Sequence, residues 1–574
     1  MYHFQRQQDV INNHRGQEKW KDAIAVGIIL FFSCILVWRL FHGFDWSDDS
    51  YYSAIVFRII QGDSLFKEIW DIHQLSAVIL VPLFWVYVQI AGTTGIILFS
   101  RIIFALVLTG EAIGIYFKFK NFCGRLFSVL ASIILFSVSS NCGLSYNTIM
   151  IEAYIMALLI LPSRNARDNL WLRHLLSGFF CGIAVQAYPT TGIVLVCFVA
   201  YFIIVDRNWK NFLYFIIGGG IVLIAFLCFL SVNSSFTNLL ENYHYLFMDP
   251  EHGQINFSIK KHFDSLLDLA GRRSIIILLF TDLIAAISWF TKGKSKDVLK
   301  AVSMIGALVV LLQQVLDAAS GYGLSLIQYR LYFVLALLFP TIWLLSGLRW
   351  DDLLLMYLGG MIASIGVSIS TNNDASFYVY PYLISAIATV LYIGRALSGI
   401  DSKIPLYQML SGIPIGLFLF EVFLIAASIK YVYRDGTLDC LTTRMTFGPA
   451  AGIYTTGERA KQYEETVNAI GRYMPKEGHV LYAKLLPFGY LCSDAKAASP
   501  RLWRTNLDYL MFEEYYQNNP DRLPTAIYIP NSNYGITNEG IVIGEYMLNY
   551  IDSSLYNTIE LDCATILMLR GQIK

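Results

Sequence analysis

Asp48 and Asp49 are adjacent carboxylates heading the stretch from Asp48 to Ile60, in which Tyr52, Ile55, Val56, Ile59 and Ile60 recur at spacings of three and four. That spacing predicts a short amphipathic helix with both acids in its first turn. Acids placed there can cap free N–H groups and complement the helix dipole. They can also take a proton from a hydroxyl or bind a divalent cation such as Mg²⁺ or Mn²⁺. Further on, His73 and Gln74 open the next apolar stretch, Tyr146 and Asn147 follow a short polar turn, and His252 lies beside Asp249 and Glu251 in a turn marked by Pro250 and Gly253. A lone histidine at such a boundary serves equally well as a structural group. Arg272, Arg273 and Arg330 stand near the ends of apolar runs, where a guanidinium either grips a phosphate or snorkels toward lipid headgroups. None of the nine cysteines forms a metal-binding spacing; six read as buried, inert thiols, and Cys440, Cys492 and Cys563 leave room for one disulfide.

The elements that hold these residues follow from composition. The 574 residues are 56% hydrophobic and 15% charged, against about 25% charged in soluble domains. Apolar runs of about twenty residues recur from Asp22 to Ile429, each long enough to cross a bilayer. The formal net charge is zero, which gives no basis for a nucleic-acid partner. The sequence therefore predicts an α-helical polytopic membrane protein, multi-pass in the plasma membrane. No small-residue cleavage site follows the first run, so it is expected to remain as a helix after a polar tail of residues 1–21.

The positive-inside bias sets the topology. The basic tail before the first run is expected in the cytoplasm, and the acidic loop after it (Asp45, Asp48, Asp49, Asp63, Glu68, Asp71) outside. If 74–92 were counted as a span, the basic turns at 118–125, 164–173, 206–210 and 292–296 would all fall outside. It is read instead as a surface or re-entrant helix. Thirteen spans result, at 22–41, 96–117, 126–141, 147–161, 175–188, 190–205, 211–232, 274–290, 298–317, 326–346, 352–370, 378–396 and 404–428. The membrane region is thus 22–429, with outer loops at 42–95 and 231–273. The tail, 430–574, alternates helix-like runs (457–473, 507–518) with strand-like ones (479–483, 526–530, 565–569), the pattern of a small α/β domain outside the membrane.

The first 210 residues resemble the membrane glycosyltransferases of the C superfamily, such as the family 39 protein O-mannosyltransferases and the lipid A aminoarabinose transferases. The resemblance is carried by Asp48-Asp49-Ser-Tyr-Tyr52, Gln61-Gly-Asp63, the 70–77 segment leading into a second surface helix, and the basic turn 118–125, in family order. Many relatives have a second acid where this chain reads Asn141-Cys-Gly-Leu-Ser-Tyr-Asn-Thr148, and a lysine where it reads Gln186-Ala-Tyr-Pro189. The resemblance implies transfer of a sugar from a polyprenyl-phosphate donor to a hydroxyl of a lipid, glycan or protein at the outer membrane face. Asp48 is then the base, Asp49 its partner, and Tyr52, His73, Gln74, Tyr146, Asn147, His252, Arg272, Arg273 and Arg330 candidates for binding substrate. A divalent cation is an option that the family leaves open. The rival readings are a transporter or flippase for lipid-linked saccharides and a non-catalytic membrane protein of the same fold. Sparse intramembrane charge and the large folded tail argue against transport.

Overall fold

The computed structural model describes residues 2–137, 143–162, 169–247, 259–321, 324–346, 350–370, 380–398, 412–430, 432, 434–483, 485–503, 509–531 and 553–571, without the side chains of 2–18, 247, 259, 261, 265–266, 269–270, 314–331, 346, 398, 413, 420, 424, 427–428, 509–510 and 553. Crossing segments are α1 (Tyr2–Leu40), α4 (Ile96–Cys123), α5 (Arg125–Ile133) with its 3-10 turn to Phe136, α6 (Tyr146–Ile160), α7 (Leu170–Ala187) and the composite helix Pro189–Asp206, whose centre is α8 (Leu195–Tyr201). They continue through α9 (Trp209–Asn233), α12 (Arg272–Phe290), α13 (Lys294–Gly321), α14 (Leu324–Ser346), α15 (Asp352–Ile369), α16 (Tyr382–Ser398) and α17 (Ile413–Lys430). Each expected span overlaps a helix, with parts of 126–141, 378–396 and 404–428 outside the described residues. The polar tail does not remain a tail: α1 begins at Tyr2, ahead of its apolar part Lys19–Leu40. Between spans lie α2 (Asp48–Ile60), α3 (Gln74–Ala91), α10 (Phe236–Asn242) and α11 (Ile259–Ala270).

Hydrocarbon is the solvent these helices fit. The apolar window of α9 has a mean hydropathy of 2.7 with only 22% of it buried, so Ile216, Leu223 and Ile224 face outward. Such a surface is stable against lipid and costly against water. Where helices meet, small residues let backbones approach: a Cβ at Gly178 would strike the Phe215 carbonyl, and one at Gly218 the Leu175 carbonyl, which locks α7 against α9.

Among the described residues, eight helices are long and apolar enough to cross a membrane, α3 among them at 18 residues, so length alone does not separate α3 from a span. Its ends do. Just before α3, Trp70 N–H donates to Pro500 O (2.9 Å); just after it, Gly95 N–H donates to Gly448 O (3.0 Å). Both ends therefore touch the C-terminal domain, whereas a crossing helix would leave one on the far side. That far pole is marked by ion pairs between span ends, Asp22 with Arg125 (3.0 Å) and Lys118 with Asp352 (3.5 Å), and by the Tyr392 hydroxyl donating to Asp351 (2.7 Å).

The C-terminal domain carries β1 (Thr443–Arg444), β2 (Tyr454–Thr455), α18 (Gly457–Tyr473), β3 (His479–Tyr482), β4 (Lys496–Ala497), α19 (Tyr509–Asn518), β5 (Ala526–Pro530), β6 (Tyr556–Glu560) and β7 (Ala564–Leu569). The main sheet has the order β4-β3-β5-β7-β6, parallel from β4 to β5 and antiparallel beyond. Three strands and two helices lie where the tail's pattern puts them, whereas β4 and β6 lack the alternating apolar signal. Cys440, Cys492 and Cys563 are all free thiols, so the optional disulfide is absent among them. The first outer loop is built into this domain: Tyr454 N–H donates to Phe41 O (2.7 Å), and Phe44 and Trp46 pack edge-on against Tyr463 and Phe488.

Candidate functional site

The chain leaves α1 at Leu40, and α2 starts only eight residues later. Asp45 makes this turn. Its Oδ1 accepts from the Ser47 N–H (3.1 Å) and hydroxyl (2.9 Å), and its Oδ2 from the Asp48 N–H (3.0 Å). Ser47 is the N-cap residue of α2 and makes no side-chain cap bond, so Asp45 braces the turn that leads into the helix. The expectation that Asp48 or Asp49 caps the helix is corrected, because both turn toward arginines instead. Asp49 pairs with Arg101 of α4, which also donates to Leu40 O (2.7 Å) and Gly43 O (2.8 Å) and so ties the loop to the bundle. Asp48 lies 3.2 Å from Arg434, which reaches over from the start of the C-terminal domain and donates to the Ser47 hydroxyl (2.7 Å). Asp48 and Arg434 keep 19% and 33% of their side-chain surface in solvent; Asp45 keeps 2%. Three carboxylates face two guanidinium groups. Burial, then the charges of Asp48 and Asp49, push the Asp45 carboxyl up to about 8, so it holds its proton at neutral pH.

One turn along α2 from Asp48, Tyr52 joins a half-buried aromatic cluster. The His73 ring lies 6.1 Å from Tyr52 and 4.3 Å from Tyr146, and Tyr146 lies 5.7 Å from Tyr52 and 5.1 Å from Tyr188. His73 is held by Asp71: Nδ1 is 2.8 Å from Asp71 Oδ1, which also accepts the His73 backbone N–H (2.9 Å). The buried Tyr51 hydroxyl donates to the other Asp71 oxygen, and its ring rests on Trp503 of the C-terminal domain. Burial works to raise Asp71, but the neighbouring His73 outweighs it and holds the carboxyl below its usual range; burial and then Asp71 push Tyr51 well up. When the imidazole is neutral, a carboxylate on Nδ1 fixes the tautomer with Nε2 as acceptor. Nε2 has no hydrogen-bond partner among the described residues, and that arrangement can take a proton from a hydroxyl.

The sequence candidates therefore divide. Asp48, Asp49, Tyr52, His73 and Tyr146 come together at one pole of the bundle. Asn147 is half-buried in the first turn of α6, next to Tyr146; that helix is capped by Ser145 and Thr148, each side chain bonded to the other's backbone N–H. Gln74 is fully buried, and its Oε1 accepts the Phe66 N–H (3.1 Å), so it braces the 64–70 loop instead of facing a substrate. Arg272 and Arg273 are exposed at the start of α12, which packs mainly on α13 and α14 and not on α2. His252 lies outside the described residues, as does the side chain of Arg330.

Residues that the sequence did not single out complete the site. Arg101 was visible as a charge inside an apolar run, a signal in itself. Asp45 had the Asp-x-Ser spacing that folds back on a helix start. Arg434 and Trp503 had no local signal, because they arrive from the far end of the chain. No group of three His, Cys, Asp or Glu side chains among the described residues is arranged to hold a metal ion. Arginines and backbone N–H groups surround the three first-loop acids where a cation would have to bind. The residues do not fit a resident ion.

No protein-family profile matches the chain, and no curated protein does. Among solved structures the chain is similar to ArnT from Cupriavidus metallidurans bound to undecaprenyl phosphate, at 12% identity over 96% of this chain and 98% of that one, with a TM-score of 0.47. It is also similar to the archaeal oligosaccharyltransferase AglB from Archaeoglobus fulgidus in complex with an inhibitory peptide and a dolichol-phosphate, at 11% identity over 96% of this chain and 75% of that one, with a TM-score of 0.45.

Proposed function

We propose that the protein is a membrane glycosyltransferase that moves a sugar from a polyprenyl-phosphate donor to an acceptor hydroxyl on the outer face of the membrane. The observation that carries this reading is the part-exposed pair Asp48–Arg434 beside the aromatic cluster of Tyr52, His73 and Tyr146, at the pole where the spans meet the C-terminal domain. In the reaction, Asp48 takes the acceptor proton as the hydroxyl oxygen attacks the anomeric carbon. The bond from that carbon to the phosphate oxygen breaks, and the electron pair leaves with the polyprenyl phosphate. Arg434 matches the charge that gathers there by charge-assisted hydrogen bonds. Asp49, tied to Arg101, holds α2 in place. No step is routed through a divalent ion. The basic turns support a cytoplasmic N-terminus and a C-terminal domain outside.

A second assignment of the base has its own observation in favour. The Asp71–His73 pair orients the imidazole by its Nδ1 and leaves Nε2 as acceptor within the aromatic cluster. Under either assignment the acceptor is a hydroxyl-bearing lipid, glycan or protein. The test is incorporation of labelled sugar from a polyprenyl-phosphosugar into an added acceptor by the purified protein in detergent. Transport of the donor across vesicles without any transfer would favour the flippase reading and end this one.

A further inference from the structure

Two glutamates in the middle of the bundle take no part in the proposed reaction. Glu111 of α4 is fully buried, with no hydrogen-bond partner for either carboxyl oxygen among the described residues, and Glu152 of α6 is 6% exposed with Oε1 likewise unpartnered. Contacts on either side fix how the two helices meet. At one end the Leu144 N–H, just before α6, donates to Ser100 Oγ of α4 (3.0 Å); at the other, Lys118 Nζ donates to Leu161 O (2.9 Å). Between these points a Cβ added at Gly114 would lie 3.0 Å from Leu159 Cδ1. Gly114 and Lys118 stand three and seven positions after Glu111, and Leu159 seven after Glu152, so both glutamates lie on the faces that α4 and α6 turn toward each other. Among the described residues, the charge of Glu152 is the only one that acts on Glu111.

An ionised carboxylate in hydrocarbon is costly unless a cation or several donors meet it, and two side by side repel. Among the described residues, the cations of α4 to α7 sit toward helix ends and are engaged elsewhere: Arg101 with Asp49, Lys118 with Asp352 (3.5 Å), Lys120 and Arg125 with Asp22, and Arg173 with Ile160 O (3.0 Å). His174 Nδ1 lies 2.6 Å from Leu170 O. The hydroxyls of Thr109, Ser132 and Ser177 give their protons to backbone carbonyls. An ion such as Mg²⁺ or Ca²⁺ asks for about six or more oxygens. The pair supplies only its own, with no third His, Cys, Asp or Glu arranged beside it among the described residues. A hydrogen bond between the two carboxyls asks for nothing beyond a proton and the oxygens already there. We infer that Glu111 and Glu152 form a proton-binding site inside the membrane, where the protonated carboxyl groups hydrogen-bond to each other and fasten α4 to α6. α4 also carries Arg101, which holds Asp49, and α6 opens with Tyr146 of the aromatic cluster, so this bond sets how far apart two walls of the candidate site stand. The proton site stands whether or not the protein transfers sugar.

Infrared difference spectra of the purified full-length protein against Glu111→Gln and Glu152→Gln, in H₂O and in D₂O, read the protons directly. Expected in each variant is loss of the carbonyl stretch of a protonated carboxylic acid, a band that moves down in D₂O. Loss of carboxylate bands alone would show ionised side chains and overturn the site. Melting in detergent reads the pairing. Either Gln variant keeps a neutral hydrogen-bonding group and melts close to the parent, whereas Glu111→Leu leaves Glu152 alone and melts lower. Adding Glu152→Leu should then cost less in the Glu111→Leu background than in the parent. Equal costs in the two backgrounds would mean that the carboxyls do not meet and would end the proposal; should the Leu variants not fold, the infrared spectra of the Gln variants decide. A metal ion is the rival occupant. Exchanging Na⁺ for choline, or adding Mg²⁺, should leave the melting of the parent where it is, and an ion-dependent rise that disappears in Glu111→Gln would replace the proton by that ion.

Discussion

The first outer loop carries two acidic clusters, one at each end of α2, and they are built differently. At the C-terminal end, Asp63 is 1% exposed and receives Arg58 Nε at 2.5 Å and Arg522 Nη1 at 2.7 Å, while Arg522 also faces Glu68 at 3.6 Å. Burial works to raise Asp63, but Arg58 and then Arg522 overcome it and hold the carboxyl below its usual range. At the N-terminal end, Asp45, Asp48 and Asp49 share Arg101 and Arg434. There the acids outnumber the cations, Asp45 keeps a proton, and Asp48 and Arg434 remain partly in solvent. The balanced cluster joins the loop to the C-terminal domain. In the other, with Asp45 neutral, the charges of Asp48 and Asp49 are matched by two arginines, and what sets it apart is that Asp48 stays open to solvent, as a base that takes up a proton requires.

The largest effect that separates the two lies in turnover. Asp48→Asn keeps the shape and should lower sugar transfer by about 10²–10⁴-fold, the usual worth of a general base, with melting unchanged in detergent. Near-normal transfer in that variant, together with a comparable loss in His73→Asn, would move the base to His73. Next in size is the balanced cluster. Arg522→Ala leaves the buried Asp63 with Arg58 as its remaining buried partner and should cost about 1.5–3 kcal/mol in stability, the usual worth of a charged hydrogen bond, read as a fall in melting temperature. A variant that melts normally and still transfers sugar would mean that the domain is held by other contacts.

A third effect is smaller, and its sign differs between the clusters. Asp45 titrates near 8 in the folded protein against an ordinary value of 3.8, so the folded state binds the proton more tightly. Its contribution to stability is full below about pH 4 and declines as the pH rises toward 8. Asp63 runs the other way: its folded value is depressed, so its contribution is present above the ordinary value of 3.8 and is lost as the pH falls through the lowered one. Melting temperature measured from pH 5 to 9 should therefore decline toward the alkaline end, and Asp45→Asn should flatten that slope. An unchanged slope in the variant would assign the decline to another group.

These clusters also mark how far the sequence can be read. Apolar runs and basic turns carried every span, because hydrocarbon solvation acts on about twenty residues at a time. The surface placement of α3 came from charge bookkeeping and agrees with where its two ends lie. The acids of α2 were legible because an amphipathic period ran into them. Their partners were not: Arg434 and Arg522 come from the C-terminal domain, and a pairing between distant segments leaves no trace in local pattern. Gln74 shows the opposite error, a polar residue read as substrate-facing whose task is to satisfy the Phe66 N–H inside the loop.

The smallest effect sharpens the comparison most, because it isolates burial from charge. Lys496 and Arg522 both approach Asp63 Oδ1, at 4.0 Å and 2.7 Å, but Lys496 leaves 40% of its side chain in solvent and Arg522 only 6%. A solvated ion pair is screened and loses side-chain entropy when it forms, so Lys496→Ala should cost only about 0–1 kcal/mol. If it costs as much as Arg522→Ala, the cluster is held by its total positive charge. If it costs little, desolvated geometry is what fastens the loop. By the same reasoning, Asp48 and Arg434, both partly wet, can exchange each other for a hydroxyl and a phosphate at modest cost. Raising the salt concentration checks this independently, because it should weaken what remains of the Lys496 contribution and leave that of Arg522 in place.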